Sequence, residues 1–256
     1  MKCNEIIEIL NKEYPLSAAE EWDNVGLLVG KRDSEVSKVL VALDASDEVV
    51  DQAVKQKVQL IVTHHPMIFG SIKKINTDTF TGSRIIRLIE NGISCFAMHT
   101  NFDIYGMADL NAVQLELCGP EVLSYTEEEK GFGKVGTLKE PMKYYEYAAL
   151  LKKKLGISDI RCYGEGDPYV SRIAVCSGSG KSFVDEALAA GADVLVTGDV
   201  DYHTGTDAFA KGIRIIDAGH FGTEHGFIEY VTAELKKKLE GCEVIAAVQS
   251  PPYVLI

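Results

Sequence analysis

Short apolar runs alternate with amphipathic stretches along most of the chain. Val39–Leu43, Leu60–Val62 and Ile93–Met98 are mostly hydrophobic runs of strand length, and Glu48–Gln56 and Arg84–Glu90 between them carry helical spacing. The pattern returns at Ile173–Cys176, Val194–Val196 and Ile213–Ile216, again with helical stretches between the runs. Alternation of this kind predicts βαβ units, and so an α/β fold with largely parallel strands. The opening MKCNEIIEILNKEYP predicts an amphipathic helix, Lys134–Leu138 a strand and Tyr144–Leu155 a helix.

The two halves of this pattern match each other. Residues 36–63 lie over 170–197 without a gap, and eight of those 28 pairs are identical: Val36/Val170, Ser37/Ser171, Val41/Val175, Val50/Val184, Asp51/Asp185, Ala53/Ala187, Val62/Val196 and Thr63/Thr197. Any two βαβ units share a hydrophobic pattern, but an ungapped match with a common Val-Thr ending points to a structural repeat. It continues after a gap. Asn91-Gly92-Ile93 precedes a run ending near His99, Lys211-Gly212-Ile213 one ending near His220, and each is followed by His-x-x-x-acid: His99 with Asp103, His220 with Glu224. The expected organisation is therefore two related α/β lobes, 1–118 and 170–256, facing each other across a cleft that holds a metal site, with 119–169 connecting them.

Five of the six histidines, His64, His65, His99, His203 and His220, fall at expected strand ends or just beyond, where parallel α/β sheets collect functional groups. A single histidine there is most simply a solvated loop residue; a set with acids at matched spacing is not. Thr63-His64-His65-Pro66 is the sharpest element. Successive residues leaving a strand point to opposite sides, so two adjacent imidazoles suit two metal ions better than one. Asp103 and Glu224 are the matching carboxylates, and either could bridge two ions. A donor set of imidazole and carboxylate without thiolate suits Zn²⁺, Mn²⁺, Fe²⁺, Co²⁺ or Ni²⁺. Two such ions roughly 3.5–4 Å apart activate water and polarise the bond it attacks. His99 and His203 are candidates to orient a ligand or carry a proton. His225, beside Glu224, is better read as exposed or as a support to a ligand than as a ligand itself.

Two other features are weaker. Ser177-Gly178-Ser179-Gly180-Lys181-Ser182 suggests a phosphate-binding loop, but the first glycine of that motif would fall at Val175, so the run reads as a strand-to-helix turn. Trp22, the only tryptophan, could stack on a substrate ring, although a packed aromatic is the ordinary reading.

Composition narrows the function classes. With 38 acidic and 26 basic residues the net charge is −12, which argues against direct DNA or RNA binding. No apolar run reaches membrane-spanning length, and the N-terminal stretch is too charged for a signal-peptide core. Six cysteines without Cys-x-x-Cys spacing read as free thiols in a reducing cytoplasm.

WDNVGLLVG at 22–30, THHP at 63–66, HTNFD at 99–103, TGD at 197–199 and AGHFGTE at 218–224 together resemble the Nif-three-like dinuclear-metal family, also labelled GTP cyclohydrolase I type 2 homologues. The resemblance covers nearly the whole chain and fits the short form, without the large insertion some members carry. It implies a two-lobed α/β fold with two divalent ions held by His64, His65, Asp103, His220 and Glu224, with His99 beside that shell. It also implies a toroidal homohexamer. The expected function is a metal-dependent hydrolase acting on a small-molecule substrate, a nucleotide in GTP cyclohydrolase fashion or a phosphoester. The alternative is a non-catalytic, metal-dependent binding or regulatory protein.

Overall fold

In the computed structural model, described here for residues 1–254, the chain runs as α1 (Cys3–Glu13), β1 (Gly26–Val29), β2 (Lys38–Ala42), α2 (Asp47–Lys55), β3 (Leu60–Thr63), α3 (Phe80–Glu90), β4 (Ser94–Ala97) and α4 (Thr100–Phe102). A π-helical turn, Asp103–Met107, leads into α5 (Ala108–Gln114), β5 (Cys118–Tyr125), β6 (Gly131–Lys143), α6 (Tyr144–Lys154), β7 (Arg161–Tyr163), β8 (Tyr169–Val175), α7 (Val184–Ala189), β9 (Val194–Thr197), α8 (Tyr202–Lys211), β10 (Arg214–Asp217) and α9 (His220–Glu224). The last elements are α10 (Gly226–Lys238) and β11 (Glu243–Ala246).

These elements form two compact units. The first comprises Met1–Phe102 and Phe227–Ser250, the second Asp103–Gly226 with the segment from Pro251. The first unit holds a five-stranded sheet in the order β1-β4-β3-β2-β11, the second a six-stranded sheet in the order β5-β6-β8-β9-β10-β7. Strands β3, β4 and β9 are buried at every residue, as expected of parallel strands covered on both faces. Alternation still sorts their side chains. Val194 and Val196 of β9 join a core with Tyr147, Leu151 and Ile173, whereas Leu195 packs with Ala187, Ile213 and Ile215 on the other face. Helix starts are set by side chains where the sequence supplies them. Ser46 accepts the Val49 amide ahead of α2, Thr79 the Gly82 amide ahead of α3, and Asp201 the Thr204 amide ahead of α8.

The internal repeat is real in its hydrogen-bond register. β2 pairs with β3 as Val39↔Leu60 and Val41↔Val62, and β8 pairs with β9 as Ile173↔Val194 and Val175↔Val196. These are the residue pairs that the ungapped sequence match superposes. The next parallel strands, β4 and β10, start opposite Leu60 and Val194 at Ser94 and Arg214.

The boundaries differ from those expected. Residues 119–169 are not a connector: β5 and β6 are antiparallel strands of the second sheet, and α6 is part of its core. The helical stretch from Asp103 belongs to the second unit, not the first. The chain after Gly226 returns to the first unit, where β11 lies parallel to β2 with Val244 opposite Val39. The pattern of alternating elements locates strands but does not say which neighbour each will choose, and the returning strand has no sequence mark of its partner. Strands β1 and β7, each antiparallel to its sheet, are likewise not anticipated. Among the described residues no helix is long and apolar enough to cross a membrane.

All six cysteines are free. Cys3, Cys95 and Cys176 are buried, and burial pushes the Cys95 thiol up to about 12, against a smaller opposing effect of its hydrogen bond with Thr63. Cys118 is exposed. In the native protein at neutral pH, a thiol-labelling time course read by peptide mass mapping is expected to modify Cys118 first and to leave Cys3, Cys95 and Cys176 unlabelled until the chain unfolds. Early labelling of Cys95 would contradict this packing.

Candidate metal centre

In the first unit, β3 and β4 lie side by side and each delivers histidine at its carboxyl end. His64 and His65 follow Thr63 directly, their amides held by the Ala42 and Leu43 carbonyls at 3.3 and 2.9 Å. His99 follows β4 by two residues. The three rings converge, with centroids 4.9 Å apart for His64 and His65, 5.2 Å for His64 and His99, and 5.7 Å for His65 and His99. One ligand nitrogen from each lies within 4.8 Å of the others, which makes them a group able to hold a metal ion. The expectation that His64 and His65 point to opposite sides is not met. The regular strand ends at Thr63, and past it the pleat no longer dictates side-chain direction. His64 is fully buried, against the rings of Phe102 and Phe227 at 6.1 and 5.3 Å.

Each ring is held through the same atom. His64 Nδ1 donates to the Met98 carbonyl oxygen at 2.9 Å, His65 Nδ1 to Asp44 Oδ1 at 2.8 Å and His99 Nδ1 to Asp23 Oδ1 at 3.0 Å. A carbonyl or a carboxylate can only accept, so the proton is on Nδ1 and, in the neutral ring, the lone pair is on Nε2. Asp23 is held firmly for this task. Its other oxygen accepts the Thr100 amide at 3.0 Å and the Thr100 hydroxyl at 2.6 Å. Burial alone would raise the Asp23 carboxyl, but the hydrogen bonds from His99 and Thr100 outweigh it and hold the group at about 2.

In the second unit, His220 is the first residue of α9 and Glu224 follows one turn later, with His220 Nε2 and Glu224 Oε2 3.1 Å apart. His220 Nδ1 donates to Asp199 Oδ2 at 2.7 Å, the same arrangement as in the first unit. Asp199 stands just past β9 with φ +55°, a left-handed conformation that side chains usually avoid. Glu224 is buried and lies against Gly178. Gly178 has φ +60°, and a β-carbon there would overlap Glu224 Oε1. The Gly178 amide is taken by Thr223 Oγ1 at 2.9 Å, which ties the glycine turn to α9. Asp103 begins the π-helical turn and faces the same region: burial raises the Cys176 thiol, and the negative charges of Asp103 and Glu224 raise it further.

Of the residues expected at a metal site, the structure thus brings His64, His65 and His99 together in one unit, and His220 and Glu224 in the other, with Asp103 acting on the same thiol as Glu224. His203 is exposed on α8 beside the Tyr202 ring and belongs to none of the metal-competent groups among the described residues. His225 stacks on Phe221 at 5.1 Å and bonds its carbonyl oxygen. The two His-x-x-x-acid elements are not equivalent in the fold. Counting from the aligned ladders, His99 corresponds to Gly219 and Thr100 to His220, so the motifs are offset by one residue. The carboxylates Asp23, Asp44 and Asp199 are not among the expected site residues, although Asp23 and Asp199 stand inside the WDNVGL and TGD motifs.

The sequence profile of Duf34/NIF3 (NGG1p interacting factor 3) matches residues 1–252. The chain belongs to the Duf34/NIF3 family. A relative from Clostridium perfringens named GTP cyclohydrolase 1 type 2 homolog is 37% identical over 245 residues, covering 94% of this chain and 93% of its own. Among solved structures, a Bacillus cereus protein related to NIF3 superposes with TM-score 0.94 at 26% identity, covering 100% of this chain and 99% of the other. Reduced HcgD from Methanocaldococcus jannaschii gives TM-score 0.83 at 32% identity, with 96% and 97% covered. The fold of this NIF3 family member, a mixed α/β chain with two sheets, is therefore shared along its whole length with other members.

Proposed function

We propose that this NIF3 family protein is a metal-dependent hydrolase whose His64, His65, Asp103, His220 and Glu224 hold two divalent metal ions. The observation that carries the reading is the common treatment of four imidazoles. His64, His65, His99 and His220 each commit Nδ1 to an oxygen acceptor, which fixes the ring and leaves Nε2 as the nitrogen to coordinate a metal. Histidines that serve only packing have no need of a uniform anchor on Nδ1. The donors also fit the cations in kind: imidazole nitrogen and carboxylate oxygen, without thiolate, suit Zn²⁺, Fe²⁺, Mn²⁺, Co²⁺ or Ni²⁺.

Such ions would polarise the bond under attack and make water more acidic. The chain's own residues supply the rest. The carboxylates Asp44 and Asp199 fix the orientation of His65 and His220. His99 with Asp23 is the candidate proton carrier, since Asp23 remains ionised and stabilises the imidazolium that forms when Nε2 takes a proton. His203, the other candidate from the sequence, stands outside the metal-competent groups, which favours His99. The substrate is a small molecule, a nucleotide or a phosphoester; the name carried by the Clostridium perfringens relative supports the former. Six free thiols agree with a cytoplasmic setting, and a homo-oligomeric ring is the expected assembly.

The family description, an interacting factor, favours a second reading in which the metals hold an effector without turnover. A panel of nucleotides and phosphoesters, run with each metal, separates the two. Metal-dependent turnover is expected, with a loss of at least about a hundredfold in His64→Ala. Turnover that survives unchanged in His64→Ala would sink the hydrolase reading, and tight metal-dependent binding without turnover would establish the second.

A further inference from the structure

Trp22 and Phe69 are 58% and 61% exposed, yet their rings meet, with centroids 5.8 Å apart and planes at 46°. The His99 ring stands edge-on to both, 6.0 Å from Trp22 at 78° and 6.4 Å from Phe69 at 73°. The three rings are in mutual contact and form a small wedge of aromatic surface, with Trp22 and Phe69 exposed to solvent. Each aromatic is one residue from an anchor. Asp23, next to Trp22, grips His99 and Thr100; the Asn24 side chain donates to the Ile68 carbonyl, next to Phe69, at 2.6 Å. Single exposed apolar side chains are ordinary on protein surfaces, whereas an anchored pair beside a three-histidine cluster is not.

We infer that Trp22 and Phe69 form a subsite that stacks a flat heteroaromatic ring of the substrate beside His99, a proposal that rests on the metal-centre reading above. The size of the wedge selects a small ligand. Two aromatic side chains offer at most a few hundred Å², well short of the roughly 800 Å² per partner that a stable protein interface buries. Its chemistry selects a flat one, because stacking on a ring face recognises any π-system and asks for no particular hydrogen bonds. The imidazole edge then meets the polar rim of such a ring, which sets the rest of the substrate toward the histidine cluster.

Trp22 is the only tryptophan in the chain, so its fluorescence, excited beyond tyrosine absorption, reads the wedge alone. The full-length protein is titrated with guanosine 5′-monophosphate and, separately, with ribose 5-phosphate, each with and without Zn²⁺. Saturable quenching by the purine nucleotide and none by the sugar phosphate is expected. Phe69→Ala is expected to raise the midpoint by about tenfold, as is Trp22→Ala followed by calorimetry. Both side chains are exposed, so the variants should fold. Quenching that never saturates, an unchanged midpoint in Phe69→Ala, or a changed mass in sedimentation of either variant would overturn the subsite, the last by making the pair a contact between copies. Zn²⁺ uptake measured in the same samples keeps the readings apart. Saturable quenching without uptake preserves the subsite and defeats the metal centre; uptake without quenching does the reverse.

Discussion

Gly178→Ala is expected to fold, to lose modest stability and to lose most of its metal affinity. Two physical effects act at once. At φ +60° an L-residue is strained by about 1–2 kcal/mol relative to glycine, which lowers the melting temperature of a chain this size by roughly 2–8 °C. The new methyl group also falls on Glu224 Oε1. The obstructing atom is the end of a side chain, not backbone, so the fold can yield by moving the carboxylate. That movement is what the site cannot accept, because Glu224 is buried and set 3.1 Å from His220 Nε2. A drop of at least about tenfold in Zn²⁺ affinity, comparable with losing a supporting group, should therefore accompany a small thermal shift. Isothermal titration and thermal unfolding of the same preparation check both. Wild-type affinity in Gly178→Ala would show that the position of Glu224 is immaterial to metal binding.

Asp199→Gly is expected to separate stability from site quality in the other direction. The left-handed conformation of Asp199 costs free energy that glycine does not incur, and its side chain is about half exposed (53%), so little folding energy is lost with the carboxylate. The melting temperature should stay level or rise slightly. The His220 imidazole, however, loses the acceptor that holds its Nδ1 proton, and removal of such a partner typically lowers metal affinity about 10–100-fold. Asp199→Asn tolerates the same backbone conformation and keeps an acceptor oxygen without the charge, so its affinity should fall between the two. A ranking of wild type, Asn, then Gly in metal titrations, with no parallel ranking in thermal melts, is the expected pattern. Parallel losses in both would mean that Asp199 serves the fold alone.

The residues at strand ends were legible in the sequence because two regularities coincide there. Buried parallel strands read as unbroken apolar runs, so the positions after Thr63, Ala97 and Asp217 can be found by counting, and the histidines stand at those positions. What was not legible is long-range. Asp44 reaches His65 and Asp199 reaches His220, each over 21 residues, the length of one strand-helix-strand passage between neighbouring sheet positions. Asp23 reaches His99 over 76. Single acids in loops carry no local sign of such pairings. The one-residue offset between the two His-x-x-x-acid elements was hidden for a related reason. The sequence match of the repeat ends at Thr63 and Thr197, and only the ladders of β4 and β10 show how the following strands align. The division into units has no mark in the sequence, because the returning segment after Gly226 is an ordinary helix and strand, whose attachment to β2 is decided by packing.

The central claim is that the chain carries two divalent ions, held by histidines anchored through Nδ1 together with carboxylates. Elemental analysis of protein purified without chelator, repeated after reloading with each candidate metal, tests it most directly. About two ions per chain are predicted for the wild type, with both lost or markedly weakened in a His64→Ala, Glu224→Ala double variant. No bound metal before or after reloading, or a double variant that retains the wild-type content, would contradict the account.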